Sequence, residues 1–148
     1  METLSPNVTD KPKKRKRNGD KKSAAKQRRL SSHEIGENCN CKRPNCFNNV
    51  SEIERTHIIT HFNALSSKNE QDSFLNSCIS LEPITRRRLR KGPEDAKPRD
   101  TAVKYFVNVV RDGKRERIQV CATAFFSFFG VSRKRVELIR SSVMKTGI

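Results

Sequence analysis

Cys39, Cys41 and Cys46 fall within eight residues, with Pro44 and several asparagines between them. Small turns of that composition aim thiolates at one point, so this part of the chain is expected to form a knuckle rather than a helix or strand. Zinc is the ion such a knuckle suits. A structural site takes four ligands. His57 and His61 lie one helical turn apart, and either of them completes a Cys3His sphere; Cys121 is an equal candidate from across the fold. The alternative is that the cysteines are buried thiols, because a free cysteine behaves as a small apolar residue. The chain has five cysteines, an odd number, and a reducing compartment disfavours disulfides, which leaves metal ligation or core packing as their role.

The formal net charge is +16 over 148 residues. Such a chain repels itself unless a polyanion is near, which makes nucleic acid the expected partner. The run Lys11, Lys13, Lys14, Arg15, Lys16 and Arg17 around Pro12 carries no apolar surface to bury. It is expected to stay extended and to bind a nuclear import receptor or phosphates, with Lys21, Lys22, Lys26, Arg28 and Arg29 as the second half of a two-part import signal. Residues 1–36 are therefore assigned to a disordered basic tail, which leaves about 110 residues for one modest core. No apolar run approaches the roughly 18 residues that span a bilayer, and none resembles a signal peptide. The expectation is a soluble nuclear protein with no membrane partner.

From residue 37 to 148 the chain reads as one folded α+β unit. Ser51 with Glu54 is a capping-box signature, and Ile58, Phe62 and Leu65 follow at helical spacing. Ser67 with Glu70 repeats the cap ahead of Phe74, Leu75, Cys78 and Ile79. Residues 37–81 should thus hold the cysteine cluster and a helical hairpin. Residues 82–100, with Pro83, Gly92, Pro93, Pro98 and the cations Arg86, Arg87, Arg88, Arg90 and Lys91, read as a basic linker. Val103, Tyr105, Val107 and Val109 alternate with other residues, Arg111-Asp112-Gly113-Lys114 supplies a turn, and Ile118 and Val120 resume the alternation, which predicts a two-stranded β-hairpin.

Ala122 to Phe129 predicts a short apolar helix, Gly130 a left-handed stop, and Ser132 the cap of a last helix carrying Val136, Ile139 and Val143. That is helix-turn-helix spacing. Arg133, Lys134, Arg135 and Arg140 then cluster on the helix that would enter the major groove, with Arg133 and Arg135 expected to meet bases or phosphates and Arg86, Arg87, Arg88 and Arg90 to add phosphate contacts. The rival reading makes the phenylalanines core and the arginines a solvated face. No phosphate-binding glycine loop, nucleophile elbow or His-Glu-x-x-His helix occurs, and the adjacent acids Glu94 and Asp95 lie in the basic loop, so no enzymatic activity is expected.

The cysteine cluster, the stretch QDSFL (71–75), the run RRRLR (86–90), the strand VKYFV (103–107) and IQVCATAFFSFFGVSRKRV (118–136) together resemble the N-terminal portion of transposon-derived animal proteins, mainly from insects. Val120, Cys121, Phe125, Gly130, Val131 and Ser132 carry most of the likeness. The resemblance implies the DNA-binding module of a transposase-like protein without the acidic-residue nuclease core of longer members. It also implies Cys121 as the partner of Cys39, Cys41 and Cys46. Two other readings compete with double-stranded DNA binding: a protein-interaction module with an import tail, and an RNA-binding accessory protein. The latter calls for exposed aromatics among cations, for which Tyr105 and Phe106 are the candidates.

Overall fold

The structure, a computed structural model, describes residues 18–86, 94 and 101–146. Lys11 to Arg17, Arg87, Arg88 and Arg90 lie outside the described residues. Helix α1 (Asn18–Ser31) occupies the stretch expected to be disordered, and this is a correction. Ala24, Ala25 and Gln27 favour helix, Asp20 sits in the first turn and Arg28 and Arg29 in the last, so both signs of charge suit the helix dipole. The helix is exposed from Gly19 to Arg29 and buried only at Leu30, which is why no apolar period announced it. Beyond it the chain is strapped down. The His33 N–H donates to Asn63 Oδ1 (3.1 Å), Asn63 Nδ2 donates to the His33 carbonyl (2.8 Å), and the Gly36 N–H donates to the Ser127 carbonyl (2.9 Å).

A single turn, α2 (Cys46–Asn49), leads into α3 (Glu52–Ala64), whose capping box is complete: the Ser51 hydroxyl accepts from the Glu54 N–H and the Glu54 carboxylate accepts from the Ser51 N–H. Helix α4 (Lys68–Ser77) starts on the Ser67 hydroxyl, but the Glu70 carboxylate accepts from the N–H and hydroxyl of Ser66 rather than closing a box on Ser67. Gln71 is a fully buried polar side chain that donates to the carbonyls of Leu30 (2.7 Å) and Phe62 (3.2 Å), so it ties the end of α1 to α3 and α4.

The sheet has three strands, where the sequence predicted two. Strand β1 (Ile79–Pro83) pairs antiparallel with the first half of β2 (Thr101–Arg111), Ile79 opposite Tyr105 and Pro83 opposite Thr101. It takes Ile79 from the expected helix and Glu82 and Pro83 from the expected linker. Strand β3 (Lys114–Val120) pairs with β2 through a two-residue turn in which Asp112 and Gly113 both have positive φ, the twist-matching hairpin geometry. Tyr105, Val107, Val109 and Val120 face the core.

Against that face packs α5 (Ala122–Phe129), with Phe125, Phe128 and Phe129 buried and Phe129 edge-on to both Phe62 (5.3 Å) and Phe125 (4.9 Å). Gly130 ends it at φ 59° and leads to α6 (Arg133–Thr146), whose first turn is capped by Ser132. Among the described residues no helix is long and apolar enough to cross a membrane.

Two predictions concern stability. A Cβ at Gly130 would strike the backbone of Glu34, in addition to the roughly 1–2 kcal/mol cost of the left-handed conformation, so Gly130→Ala should destabilise by more than about 2 kcal/mol in urea denaturation. The second concerns Glu54, whose hydrogen bond from Arg111 Nε (2.7 Å) holds its pKa down to about 2 from an ordinary value of 4.5. The depressed folded-state pKa means that the stabilisation is whole above pH 4.5 and lost as pH falls through about 2. Glu54→Gln should flatten that acid limb and remove on the order of 1 kcal/mol at pH 7, the scale of a partly screened pair, read from denaturation curves at pH 7 and pH 3.

Candidate metal centre

Cys39 and Cys41 come from the loop before α2, Cys46 opens α2, and Cys121 caps the N-terminus of α5. Asn40 and Asn45 have φ of 50° and 57°, a left-handed backbone that asparagine tolerates, and these kinks turn the loop back on itself. The sulfurs of Cys39 and Cys41 lie 3.3 Å apart, those of Cys41 and Cys46 3.5 Å, and all four lie within 4.8 Å of one another. A tetrahedral ion with metal–sulfur bonds of about 2.3 Å places sulfurs about 3.8 Å apart, which these separations bracket. None is a disulfide.

Backbone donors serve the sulfurs. The Cys121 N–H donates to Cys46 Sγ (3.2 Å) and the Ala124 N–H to Cys121 Sγ (3.3 Å). The N–H of Cys46 draws the Cys41 thiol down to about 7, assisted by the thiol of Cys39, whereas burial pushes Cys39 and Cys46 up. Four thiolates this close would need a cation among them, and the four-sulfur donor set is of the kind that zinc takes.

The histidine alternatives are corrected. His57 and His61 stand on the exposed side of α3, beside a groove of about 280 Å³ lined also by Ile58, Phe74 and Phe129, and neither joins the four cysteines. Cys121 supplies the fourth position because β3 ends and α5 begins beside Cys46. The fifth cysteine, Cys78, is buried away from the cluster, its thiol pushed up by burial, and serves as core.

The basic candidates divide. Arg133 is exposed and paired with Glu137 one turn on (2.8 Å), and Lys134 is exposed. Arg135 turns inward: its guanidinium donates to Asp72 Oδ1 (2.8 Å) and Gln71 Oε1 (3.2 Å) and lies 3.3 Å from His33 Nε2. Arg140 is half-buried and donates to the Tyr105 hydroxyl (3.4 Å). Arg86 is exposed. Asp72, Gln71 and His33 went unread in the sequence, since their partner lies more than sixty residues away and no local pattern marks them. No family model, no curated protein and no solved structure matches the chain.

The centre is testable by metal counting. After equilibration with zinc and removal of excess, the wild type should retain about one ion per chain, Cys121→Ala should lose at least about a hundredfold in affinity, and Cys78→Ala should bind as the wild type does. Cobalt substitution followed by visible absorption checks the tetrahedral thiolate sphere independently.

Proposed function

We propose that the chain is a zinc-braced module that binds double-stranded DNA in the nucleus, without enzymatic activity. The observation that carries this reading is the way two anchors present one basic helix tip. The four cysteines tie the 39–46 loop to the start of α5, and Arg135 fastens α6 to α4 through Asp72 and Gln71. Between the anchors, Gly130 turns the chain, and Arg133 and Lys134 are left exposed on the first turn of α6. In helix-turn-helix recognition that turn meets base edges, so Arg133 and Lys134 take the contact role. Arg135 takes a positioning role instead, because its guanidinium is already satisfied by a carboxylate and an amide.

Exposed cations of α1, Lys21, Lys22, Lys26, Arg28 and Arg29, together with Arg86, supply phosphate contacts, and the Lys11–Arg17 run supplies nuclear import through its receptor. The zinc is structural in this reading. It neutralises the thiolates and adds its binding free energy to folding. The sequence resemblance to transposon-derived proteins supports the same assignment, the DNA-binding portion of a transposase-like protein. A second reading, a protein-interaction module with an import tail, draws on Leu138 and Met144, which are 63% and 58% exposed on the same helix.

Selection from a randomised duplex pool at about 150 mM salt should enrich a motif, and Arg133→Ala with Lys134→Ala should weaken binding to it at least about tenfold without shifting the thermal midpoint. If about six cations touch phosphate, affinity should fall about a thousandfold between 50 and 200 mM salt. A folded, zinc-loaded chain that enriches nothing from the pool would move the interaction reading to first place.

A further inference from the structure

The two faces of the sheet differ in character. The residues that alternate with Tyr105, Val107 and Val109 point away from the core, and the register sets Phe106 beside Gln119 and Asn108 beside Arg117. Asn108, Arg115, Arg117 and Gln119 are exposed, and Lys104 and Phe106 are half-buried. Phe106 stands outside the apolar cluster that joins the other phenylalanines. The guanidinium carbon of Arg117 lies over its ring, 4.1 Å from the centroid, a cation–π pair whose arginine is exposed.

Charge on this face is unevenly compensated. Lys104 is neutralised by Glu82 at 2.6 Å, whereas among the described residues neither Arg115 nor Arg117 has a carboxylate partner. The two arginines lie two residues apart on one strand, hence on the same side and within mutual repulsion. If the only need were to keep the sheet soluble, a polar residue at 106 would suffice and two unpaired cations would be a disadvantage. A π-surface flanked by uncompensated cations on an open sheet is the chemistry that takes unpaired bases. Duplex bases are already stacked on one another and offer no free face to such a platform.

We propose that this sheet face binds unpaired DNA, with a base stacked on the Arg117–Phe106 pair, the neighbouring phosphate at Arg115, and the amides of Asn108 and Gln119 toward the base edge. Arg117 keeps one side of its plane on Phe106 and offers the other to the base. The choice of polymer rests on the proposed function; the single-strandedness comes from the sheet itself. The surface is distinct from the tip of α6, so one chain would hold duplex and unpaired strand at separate places.

The test uses the full-length, zinc-loaded chain and fluorescence anisotropy at about 150 mM salt, with a labelled thymidine dodecamer, an abasic dodecamer and the duplex selected above. Phe106→Leu keeps apolar cover without the ring, and Arg117→Lys keeps the charge without the plane. Each should weaken thymidine-dodecamer binding about tenfold, with duplex affinity and thermal midpoint unchanged, and the abasic strand should bind the wild type about tenfold more weakly than the thymidine strand. Lys134→Ala should do the reverse, losing duplex and keeping single strand. Equal binding of the abasic strand, or no response to Phe106→Leu and Arg117→Lys, overturns the platform. A uridine dodecamer bound tenfold tighter than the thymidine one overturns the choice of DNA. Ring-dependent capture of the thymidine strand without any duplex binding would uphold the platform while the duplex reading falls.

Discussion

One side of this fold depends on one electrostatic problem, four sulfurs within 4.8 Å. Two of them lie in an irregular loop, the third opens the single turn α2, and the fourth caps the helix carrying the phenylalanine core. Backbone donors from Cys46, Cys121 and Ala124 partly offset the charge, yet burial around Cys39 and Cys46 works against it. A divalent cation would resolve the conflict by favouring all four thiolates at once, and folding of the 39–46 loop would then be coupled to metal binding. The cluster meets α5 at its first turn, and the phenylalanines of α5 carry its placement on into the core.

A second node secures the other side. Gln71 donates to the carbonyls of Leu30 and Phe62 and accepts from Arg135, while Asp72 beside it takes the charge of the same guanidinium. Four elements, α1, α3, α4 and α6, are therefore linked through one buried amide and one ion pair. A buried amide with all its partners specifies a single arrangement, because any shift of α4 leaves donors and acceptors unmatched in a low-dielectric interior. This explains why a helix as polar as α1 has a defined end. Its last apolar residue and carbonyl are captured even though its length is solvated.

What could be read from the sequence was whatever is encoded locally. The α+β class, the caps at Ser51 and Ser67, the Asp112-Gly113 turn and the stop at Gly130 are signalled within four or five residues, and each stands where its signal lies. The gathering of Cys39, Cys41 and Cys46 was legible for the same reason. Residue spacing alone left the fourth ligand open between Cys121 and two histidines, since the approach of β3 to α2 is a long-range fact. Strand β1 was missed because a five-residue strand ending in proline beside an arginine run carries too little alternation to outweigh its surroundings. Helix α1 was missed because exposure erases the apolar period on which such readings depend.

The arginines show the limit most clearly. Arg133, Arg135 and Arg117 are indistinguishable as letters in a basic chain, but their geometry separates them into a cation at a helix tip, a half-buried strut and a cation over an aromatic ring. Net charge sets the long-range attraction for a polyanion and falls off within a Debye length, so it cannot choose between duplex and single strand. That choice belongs to shape at contact distance. A helix tip standing clear of the core has the shape for a groove, and an arginine over a ring on an open sheet has the shape for an unstacked base, so the two proposed contacts would need separate surfaces, and the fold sets Arg133 and Arg117 on different elements.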